Sequence, residues 1–413
     1  MFETEYKMKK IAGNAYLKKE KGRILIDLMP LNEFLKNSTP PIMIFIENKI
    51  RDNVNLFKTV FNSVFDNFQC FYSFKANYLL EICEVIHSEK VGAVVVGLPE
   101  LNLALNIGYP TNKILVGGPY LPKELIEASV LNHVKEIIVY NINDLNKINS
   151  SALKSGVIQD ICLRVNSEKY GSRLGVKFND TNLKSLNKIL NECHNINIVS
   201  LLSHYGTQMN NIKQFRKNIQ TIAKNIKILK ELGITIKNIN LGGGFPEATV
   251  MPQDQLKKIA HKMKQLIEEG GIKYEQIYFE PGRYFVGDAG LFIAEVLNIS
   301  EDRWIFLNIG NHICPKFARN SLRFYNASQA NKPHKYKTSF AGIVPTDQDV
   351  LAKDYFFTEN VKEGDIVLIS NVGAYTLTFS NRFPYSLPNI LLVKNNEVTQ
   401  IFDHHTNKDF SIS

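Results

Sequence analysis

A lysine that could take part in covalent chemistry stands at Lys75, directly after the apolar segment Cys70-Phe71-Tyr72-Ser73-Phe74. If this segment is a barrel strand, the lysine lies at the barrel mouth, where burial can suppress the charge of its ammonium group. A neutral amine is the form that makes a Schiff base with a carbonyl. The alternative is a lysine that only caps a strand, and this segment alone does not decide between the two.

Three consecutive glycines, Gly242-Gly243-Gly244, follow the predicted strand Lys237–Leu241. Glycines let the backbone approach an anion closely and direct its N–H groups at it, as phosphate sites require. The alternative is a tight turn between a strand and a helix.

Two further strand ends carry groups suited to chemistry. Glu280-Pro281-Gly282-Arg283 follows the last predicted strand, and His204 follows an earlier one. The carboxylate could hold a protonated ring nitrogen, and Gly282 with Arg283 could bind phosphate. The alternatives are a strand cap with a turn and a structural histidine.

These residues depend on alternating strands and amphipathic helices between about residues 40 and 280. Helical spacing of apolar residues is visible in Leu79–Glu89 and Asp254–Glu269. The predicted strands are Ile42–Ile46, Gln69–Ser73, Ala93–Val96, Lys113–Val116, Glu136–Tyr140, Asp160–Val165, Ile198–Ser203, Lys237–Leu241 and Gln276–Glu280. Such alternation predicts a parallel sheet closed into a (β/α)8 barrel over residues 40–284.

After about residue 285 the pattern changes to short alternating apolar runs. Turns are predicted at Asn308–Gly310, Lys362–Asp365 and Lys394–Glu397. We therefore expect a β-rich domain formed by residues 285–413, which residues 1–39 join or precede as an unpaired extension.

Composition narrows the class of protein. The chain has 413 residues, 44% hydrophobic and 22% charged, with no apolar run of transmembrane length and no signal-peptide pattern. Five scattered cysteines show no metal-ligand spacing, so no metal site is predicted and a reducing cytoplasm is expected. The net charge of +9 is spread rather than clustered, which favours an anionic small molecule over nucleic acid, and no membrane partner is expected.

Taken in order, these strand-end segments resemble the fold-type III pyridoxal-phosphate (PLP) decarboxylases, which include diaminopimelate, ornithine and carboxynorspermidine decarboxylases. The resemblance covers about residues 40–395. It implies Lys75 as the Schiff-base lysine, His204 stacked on the pyridine ring and Glu280 beside the pyridine nitrogen. The phosphate is implied to contact Thr207, Gly242, Gly243, Gly244, Gly282, Arg283 and Tyr375.

The resemblance extends to three further positions. Glu100 matches an acidic residue near the Schiff base, and Ser172–Gly175 matches a segment before the histidine. Asp349 matches an aspartate of a segment that enters the neighbouring subunit's site, so a homodimer with shared active sites is implied. Catalysis is implied to involve Lys75, His204 and Asp349.

The carboxylate of Glu280 favours decarboxylation among the reactions of this fold. A carboxylate keeps the pyridine nitrogen protonated and makes the ring a strong electron sink. Alanine racemases share the barrel but place an arginine there. A racemase therefore remains a minor alternative.

Two departures bear on catalysis. Pro345 stands where the family has a cysteine that supplies a proton, and Val94 stands where an aspartate is expected. Lys75 thus becomes a candidate proton donor to Cα, and a catalytically inactive regulatory relative remains an alternative. Retention of the cofactor residues favours the enzyme.

A third departure concerns the substrate. Tyr325-Asn326 stands where diamine-specific members have Tyr-Asp, so the counter-charge for a distal ammonium is missing. Lys316, Arg319 and Arg323 are basic and could bind carboxylates, or form only a solvated face. An acylated diamino acid, such as citryl-conjugated ornithine or diaminopropionate in siderophore biosynthesis, fits both features.

Overall fold

The computed structural model describes residues 13–20 and 22–403, which divide into two compact units. The barrel unit comprises Val54–Pro246 and Met251–Gly282. The sheet unit comprises the described residues up to Asn53, Glu247–Val250 and the described residues from Arg283 onwards. The described part of the chain contains no helix long and apolar enough to cross a membrane.

The chain begins in the sheet unit with short elements. They are β1 (Leu17–Glu20), β2 (Arg23–Ile26), β3 (Met29–Pro30), α1 (Leu31–Asn37), β4 (Ile42–Ile46) and α2 (Glu47–Asn62), which continues into the barrel unit. Strands β1, β2 and β3 form a small antiparallel sheet.

Eight parallel strands close the barrel. They are β5 (Phe68–Ser73), β6 (Gly92–Val95), β7 (Ile114–Gly118), β8 (Glu136–Val139), β9 (Gln159–Arg164), β10 (Ile196–Leu202), β11 (Asn238–Asn240) and β12 (Gln276–Phe279). Each strand pairs with its neighbours in sequence, and β12 pairs with β5 to close the ring. The predicted barrel is confirmed.

One helix follows each barrel strand up to β11. These are α3 (Leu80–Ser88), α4 (Leu98–Ile107), α5 (Lys123–Leu131), α6 (Asp144–Lys154), α7 (Asp180–Glu192), α8 (Ile212–Glu231) and α9 (Gln253–Glu269). In α8, Phe215, Ile219 and Ile222 are buried at helical spacing, while Arg216 and Lys217 between them are exposed. This stripe is what packs such a helix against the barrel wall.

The barrel interior is filled by side chains rather than left as a pore. One layer contains Phe71, Val94, Leu115, Ile138, Cys162, Leu202 and Tyr278, none more than 5% exposed. Phe57, Phe61, Phe245 and Phe279 form a separate aromatic cluster with ring centroids 4.3–6.5 Å apart.

The rest of the sheet unit is mainly antiparallel. Its elements are α10 (Arg283–Val286), β13 (Gly290–Ile299), β14 (Trp304–Leu307), β15 (Arg323–Asn326), β16 (Tyr336–Ala341), β17 (Val350–Phe357), β18 (Ile366–Ser370), β19 (Asn389–Lys394) and β20 (Glu397–Phe402). Strand β13 is central and pairs with β4, β14 and β18. The three predicted turns lie between these strands, and the predicted β-rich domain is confirmed.

One predicted strand has a different place. Ile42–Ile46, expected to open the barrel, pairs instead with β13 and β19 in the sheet unit. All five of its residues are fully buried, so a central sheet strand gives the same continuous apolar run as a barrel strand. The described residues before it also lie in the sheet unit, and residues 1–12 and 404–413 fall outside the described chain.

Candidate active site

Lys75 lies in a single 3-10 turn, Phe74–Ala76, at the carboxyl end of β5. Phe74 and Ala76 are buried while the Lys75 side chain is exposed at the mouth, so the expected desolvation is not a feature of this structure. Burial raises the pKa of Glu280 and Glu100, and the positive charge of Lys75 opposes that rise; burial lowers the pKa of the His204 imidazole, and the same charge adds to that effect. The amine therefore stands within electrostatic range of all three groups.

Glu280 follows β12 and is paired with a residue of the neighbouring strand. Its Oε1 accepts a hydrogen bond of 2.7 Å from Nδ2 of Asn240, which is fully buried. Burial raises the pKa of Glu280, and the bond from Asn240 and the charges of Lys75 and Arg164 oppose that rise. A carboxylate held in this way is suited to bind a proton on a facing nitrogen.

His204 lies two residues beyond β10 and packs against the glycine loop. A Cβ added to Gly242 would come within 2.7 Å of His204 Nδ1. Burial, aided by the charges of Arg164, Lys75 and Lys169, lowers the pKa of His204 well below its usual range. The imidazole is therefore neutral at physiological pH, which suits a ring that packs against another ring.

Close contacts require glycine in the loop Gly242-Gly243-Gly244. A Cβ on Gly243 would lie 2.3 Å from the Glu280 carbonyl, and one on Gly244 would lie 2.3 Å from the Gly206 carbonyl. Across the described residues, the N–H groups of Gly243 and Gly244 donate to no protein acceptor. Unsatisfied backbone donors at a strand end are what an anion such as phosphate would bind.

The remaining predicted residues of the barrel unit lie around these groups. Gly282 packs on the Lys75 turn, because a Cβ there would come within 2.8 Å of the Ala76 Cβ. Thr207 is exposed in the loop that follows His204. Glu100, in the first turn of α4, accepts a 2.6 Å hydrogen bond from the Val96 N–H and so fixes the β6–α4 turn.

Sequence reasoning missed Arg164, which ends β9. Its guanidinium lies 4.6 Å from the Tyr140 ring centroid and donates a 2.6 Å hydrogen bond to the Tyr140 hydroxyl. Its charge opposes the rise that burial causes in the pKa of Glu280 and adds to the lowering that burial causes in the pKa of His204. The strand-end position that singled out Lys75 also applies to Arg164.

Lys169 was also missed. Its Nζ lies 5.3 Å from the Tyr205 ring centroid and 3.3 Å from the Cβ position of Gly206. It therefore adds a cation beside the loop that touches Gly244.

Arg283 and Tyr375 lie together in the sheet unit. The Arg283 guanidinium is 4.9 Å from the Tyr375 ring centroid and donates to Glu247 at 3.2 Å, to the Ala318 carbonyl at 2.5 Å and to Asn320. The two terminal nitrogens of Arg283 are thus engaged in a buried network, whereas its Nε has no partner among the described residues, and its phosphate contact stays a prediction. Tyr375 has a left-handed φ of +60°, a strained backbone typical of functional segments.

Asp349 is also in the sheet unit, and it organises two loops. It is 2% exposed, and its two carboxylate oxygens accept hydrogen bonds of 2.7 Å from the N–H groups of Asn311 and Val344. Its carboxylate lies against Gly310 and Gly342, where a Cβ would come within 2.4 Å. This is the geometry of a positioning residue, and Pro345, four residues earlier, is exposed.

The role of Tyr325 and Asn326 in binding substrate stays a prediction, and the contacts of Asn326 give it no support. Asn326 is 1% exposed, its Nδ2 donates to Thr358 and Asp365 at 3.0 Å, and its Oδ1 accepts from the Gln329 N–H. Every polar atom of its side chain is therefore occupied within the sheet unit. Tyr325 packs against the core of that unit.

The basic residues near β15 differ in how exposed they are. Lys316 and Arg319 are exposed and Arg323 is half-buried at the start of β15, so their carboxylate-binding role stays a prediction. Val94, where an aspartate was expected, is part of the apolar barrel layer.

Comparison with known proteins identifies the family. Residues 47–287, more than half of the chain, match the family described as pyridoxal-dependent decarboxylase, pyridoxal binding domain. The chain belongs to the pyridoxal-dependent decarboxylase family. It is accordingly a PLP-dependent carboxy-lyase.

Individual relatives support this assignment. The chain is 26% identical to a diaminopimelate decarboxylase of Methanocaldococcus jannaschii over 96% of both chains. A solved structure of the enzyme from that organism superposes with a TM-score of 0.85 and 25% identity, covering 95% of this chain and 96% of that one. The chain is also 24% identical to the L-glutamyl-[BtrI acyl-carrier protein] decarboxylase of Niallia circulans, over 76% of this chain and 79% of that one.

Proposed function

We propose that this pyridoxal-dependent decarboxylase removes the α-carboxylate of an amino acid whose distal end is not a free ammonium. The observation that carries the proposal is the meeting of Lys75, His204, Glu280 and the glycine loop at one barrel mouth. These groups come from strands far apart in sequence.

The residues present fit PLP. Lys75 would bind the aldehyde carbon, the donor-rich backbone of Gly243 and Gly244 would bind the phosphate, and Glu280 would face the pyridine nitrogen. When bound, PLP supplies an acceptor for the electrons that CO2 leaves behind on Cα.

Each side chain then has a definite task. Asn240 fixes the Glu280 carboxylate through its 2.7 Å bond, so that a proton on the facing nitrogen is held in place. His204, kept neutral by burial and by neighbouring cations, presents a flat ring without adding a positive charge. Gly242 leaves the space in which that ring packs.

The proton that Cα needs after CO2 departs has no cysteine donor at Pro345. We assign this step to the Lys75 ammonium, which is exposed at the mouth and near Glu280. Asp349 supports the account as a positioning residue of the loop that carries Pro345.

The substrate proposal rests on charge. Diaminopimelate and carrier-linked glutamyl groups, named for the relatives, are not simple diamines. An acylated diamino acid, for example a citryl conjugate of ornithine or diaminopropionate in a siderophore pathway, belongs to the same broad class. Asn326 supplies no counter-charge for a distal ammonium, and basic residues would bind the distal carboxylate of such a substrate.

We also propose a homodimer with shared sites. Support comes from exposed aromatic side chains of the sheet unit: Phe317 is 70% and Phe379 44% exposed, with ring centroids 4.8 Å apart. Burying such rings against a second copy would remove apolar area from water. Light scattering at micromolar concentration should give twice the 47.0 kDa chain mass.

A second candidate, an inactive regulatory relative, is favoured by one observation, the proline at position 345. The two candidates differ in colour and turnover. An inactive relative would release no CO2 from any substrate.

The deciding experiment is a CO2-release assay of the PLP-loaded protein. It compares free ornithine, lysine and diaminopimelate with succinylated and citrylated ornithine. We expect the acylated forms to have the higher kcat/KM. Faster turnover of the free diamino acids would contradict the substrate proposal. A protein that stays colourless after PLP is added would contradict the assignment of the cofactor residues.

A further inference from the structure

A cavity opens at the barrel mouth, between the loop after β9 and the ends of β7 and β8. It has a volume of about 530 Å³, within the range of small-molecule sites. Residues that line it include Tyr140, Asn141, Asn166, Arg173, Lys177 and Asn179. All belong to the barrel unit, and we call this space the side cavity.

The side cavity lies on the catalytic face of the barrel. Pro119, Tyr140 and Asn166 line it, and they follow the carboxyl ends of β7, β8 and β9. In barrels of this kind, substrates bind at that face.

Close packing and backbone hydrogen bonds hold the cavity wall that carries Arg173 and Lys177. Gly175 has a φ of +93° and packs so closely on β9 that a Cβ would lie 2.8 Å from the Arg164 carbonyl. Val176 exchanges backbone hydrogen bonds with Arg164 and Asn166 at 2.8 and 2.9 Å. The loop bearing Arg173 and Lys177 is therefore fixed on both sides of Gly175.

The amides of the cavity are used to build it. Asn166 Nδ2 donates to the carbonyls of Ser172 and Leu174, and Asn182 Nδ2 donates to the Lys177 carbonyl at 2.7 Å. Asn179 Oδ1 caps α7 by accepting from the Asn182 N–H.

The charged side chains of the cavity, Arg173 and Lys177, are available to bind a ligand. Arg173 and Lys177 are exposed, and within the described chain neither forms an ion pair. No acidic residue is among those that line the cavity, although Asp180 follows Asn179 in the chain.

One side chain pair connects the side cavity with the proposed chemistry. Tyr140 lines the cavity and accepts a hydrogen bond from Arg164, which acts on Glu280 and His204. Because the Tyr140 oxygen accepts from Arg164, its own proton is left to donate towards the cavity.

From this arrangement we propose that the side cavity binds the distal end of the substrate, and that this end carries a carboxylate recognised by Arg173 and Lys177. The inference deepens the proposed decarboxylase function and rests on it. It replaces Asn326 with a barrel site as the main determinant of the substrate's distal group.

The test uses two substrates of equal length, Nδ-succinyl-ornithine and Nδ-butyryl-ornithine, which differ only in the terminal carboxylate. Wild-type PLP-loaded protein should favour the succinyl form in KM. In Arg173→Ala/Lys177→Ala, the KM for the succinyl form should rise about 10- to 100-fold, as for loss of charge-assisted hydrogen bonds. The kcat, the KM for the butyryl form and the dissociation constant of PLP should stay within about twofold.

A matched control removes the same charge elsewhere. Lys257→Ala/Lys258→Ala, on the exposed face of α9, should leave both KM values unchanged. Arg173→Lys/Lys177→Arg, which keeps both charges, should restore most of the preference. Equal KM values for both substrates in the wild type, or an equal rise of both in the double variant, would overturn the proposal.

Calorimetric binding of the same two compounds keeps the two proposals separate. If no compound releases CO2, the proposed function fails, and the side cavity is then judged by binding alone. Preferential binding of Nδ-succinyl-ornithine that is lost in Arg173→Ala/Lys177→Ala would still support it. Equal binding in both proteins would contradict it.

Discussion

The two ends of the barrel interior each hold a carboxylate, but the groups around them differ. At the carboxyl end of β12, Glu280 accepts a hydrogen bond from Asn240 and faces the cations Lys75 and Arg164. At the amino end of β8, Glu136 is 1% exposed and its Oε1 lies within hydrogen-bond distance of the Ser200 and Tyr278 hydroxyls. One carboxylate is surrounded by charges and the other mainly by neutral groups.

The difference shows in their ionisation. Burial raises the pKa of Glu136 to about 7, and its Oε2 has no partner among the described residues. A buried oxygen without a partner favours the neutral acid. Burial also raises the pKa of Glu280, but there the Asn240 hydrogen bond and the charges of Lys75 and Arg164 oppose the rise. Burial alone therefore does not mark the site, whereas burial with facing cations does.

The largest expected contrast is between two lysines. Lys75→Ala should lower decarboxylation by about 1,000-fold or more, because the covalent attachment of PLP is lost. Lys135→Ala, at the other end of the barrel, removes a 3.3 Å hydrogen bond to Gln276 and a cation–π contact with the Tyr278 ring, and should change kcat less than about twofold. Steady-state CO2 release measures both, and similar losses in the two variants would remove the contrast.

The two carboxylates provide the next contrast. Glu280→Gln should reduce kcat by about 100-fold, since the amide cannot hold the proton of the facing nitrogen. Glu136→Gln should leave kcat within about twofold, because its partners are structural. A pronounced loss of kcat in Glu136→Gln would show that the hydrogen bonds of Glu136 with Ser200 and Tyr278 serve catalysis as well.

The stability of the folded protein should depend on pH because of Glu136. The folded protein keeps the Glu136 proton up to about pH 7, whereas the unfolded chain loses it near the usual value of 4.5. The folded state thus binds more protons between these values, so its stability falls as pH rises through that window, by about 3 kcal/mol.

Urea denaturation of wild type and Glu136→Gln across pH 4.5 to 8 measures this contribution. The wild-type free energy of unfolding should decline relative to that of the variant as pH increases. Parallel curves would mean that Glu136 has no raised pKa in the folded protein.

The smallest effect concerns Tyr278. Its hydroxyl lies 2.8 Å from Gln276 Oε1 and 3.1 Å from Glu136 Oε1. Tyr278→Phe should lower the free energy of unfolding by about 1 kcal/mol with kcat unchanged. A change in kcat without a change in the urea midpoint would reverse the roles assigned to the two barrel ends.

The site residues that stand at the ends of strands could be predicted from the sequence. Lys75, His204 and Glu280 were predictable because strand–helix alternation places such residues at one face. Arg164 follows the same rule, but an arginine after an apolar run has many structural uses. Asn240 was not predictable, because its partner Glu280 is 40 residues away.

Other features were hidden by non-local pairing. Ile42–Ile46 has the apolar run of a buried strand, and only its pairing with β13 and β19 assigns it to the sheet unit. Asn326 was predicted from its place in the family's Tyr-Asp pair, whereas its contacts, Thr358 and Asp365, lie more than 30 residues further along the chain. No local pattern reveals such partners.

The central claim is that Lys75 is the lysine that holds PLP at the barrel mouth. Borohydride reduction of the PLP-loaded protein, followed by proteolysis and mass spectrometry, locates the modified lysine directly. We expect one pyridoxyl adduct, on the peptide that contains Lys75. An adduct on Lys169, Lys135 or any other lysine in place of Lys75, or no adduct at all, would contradict it.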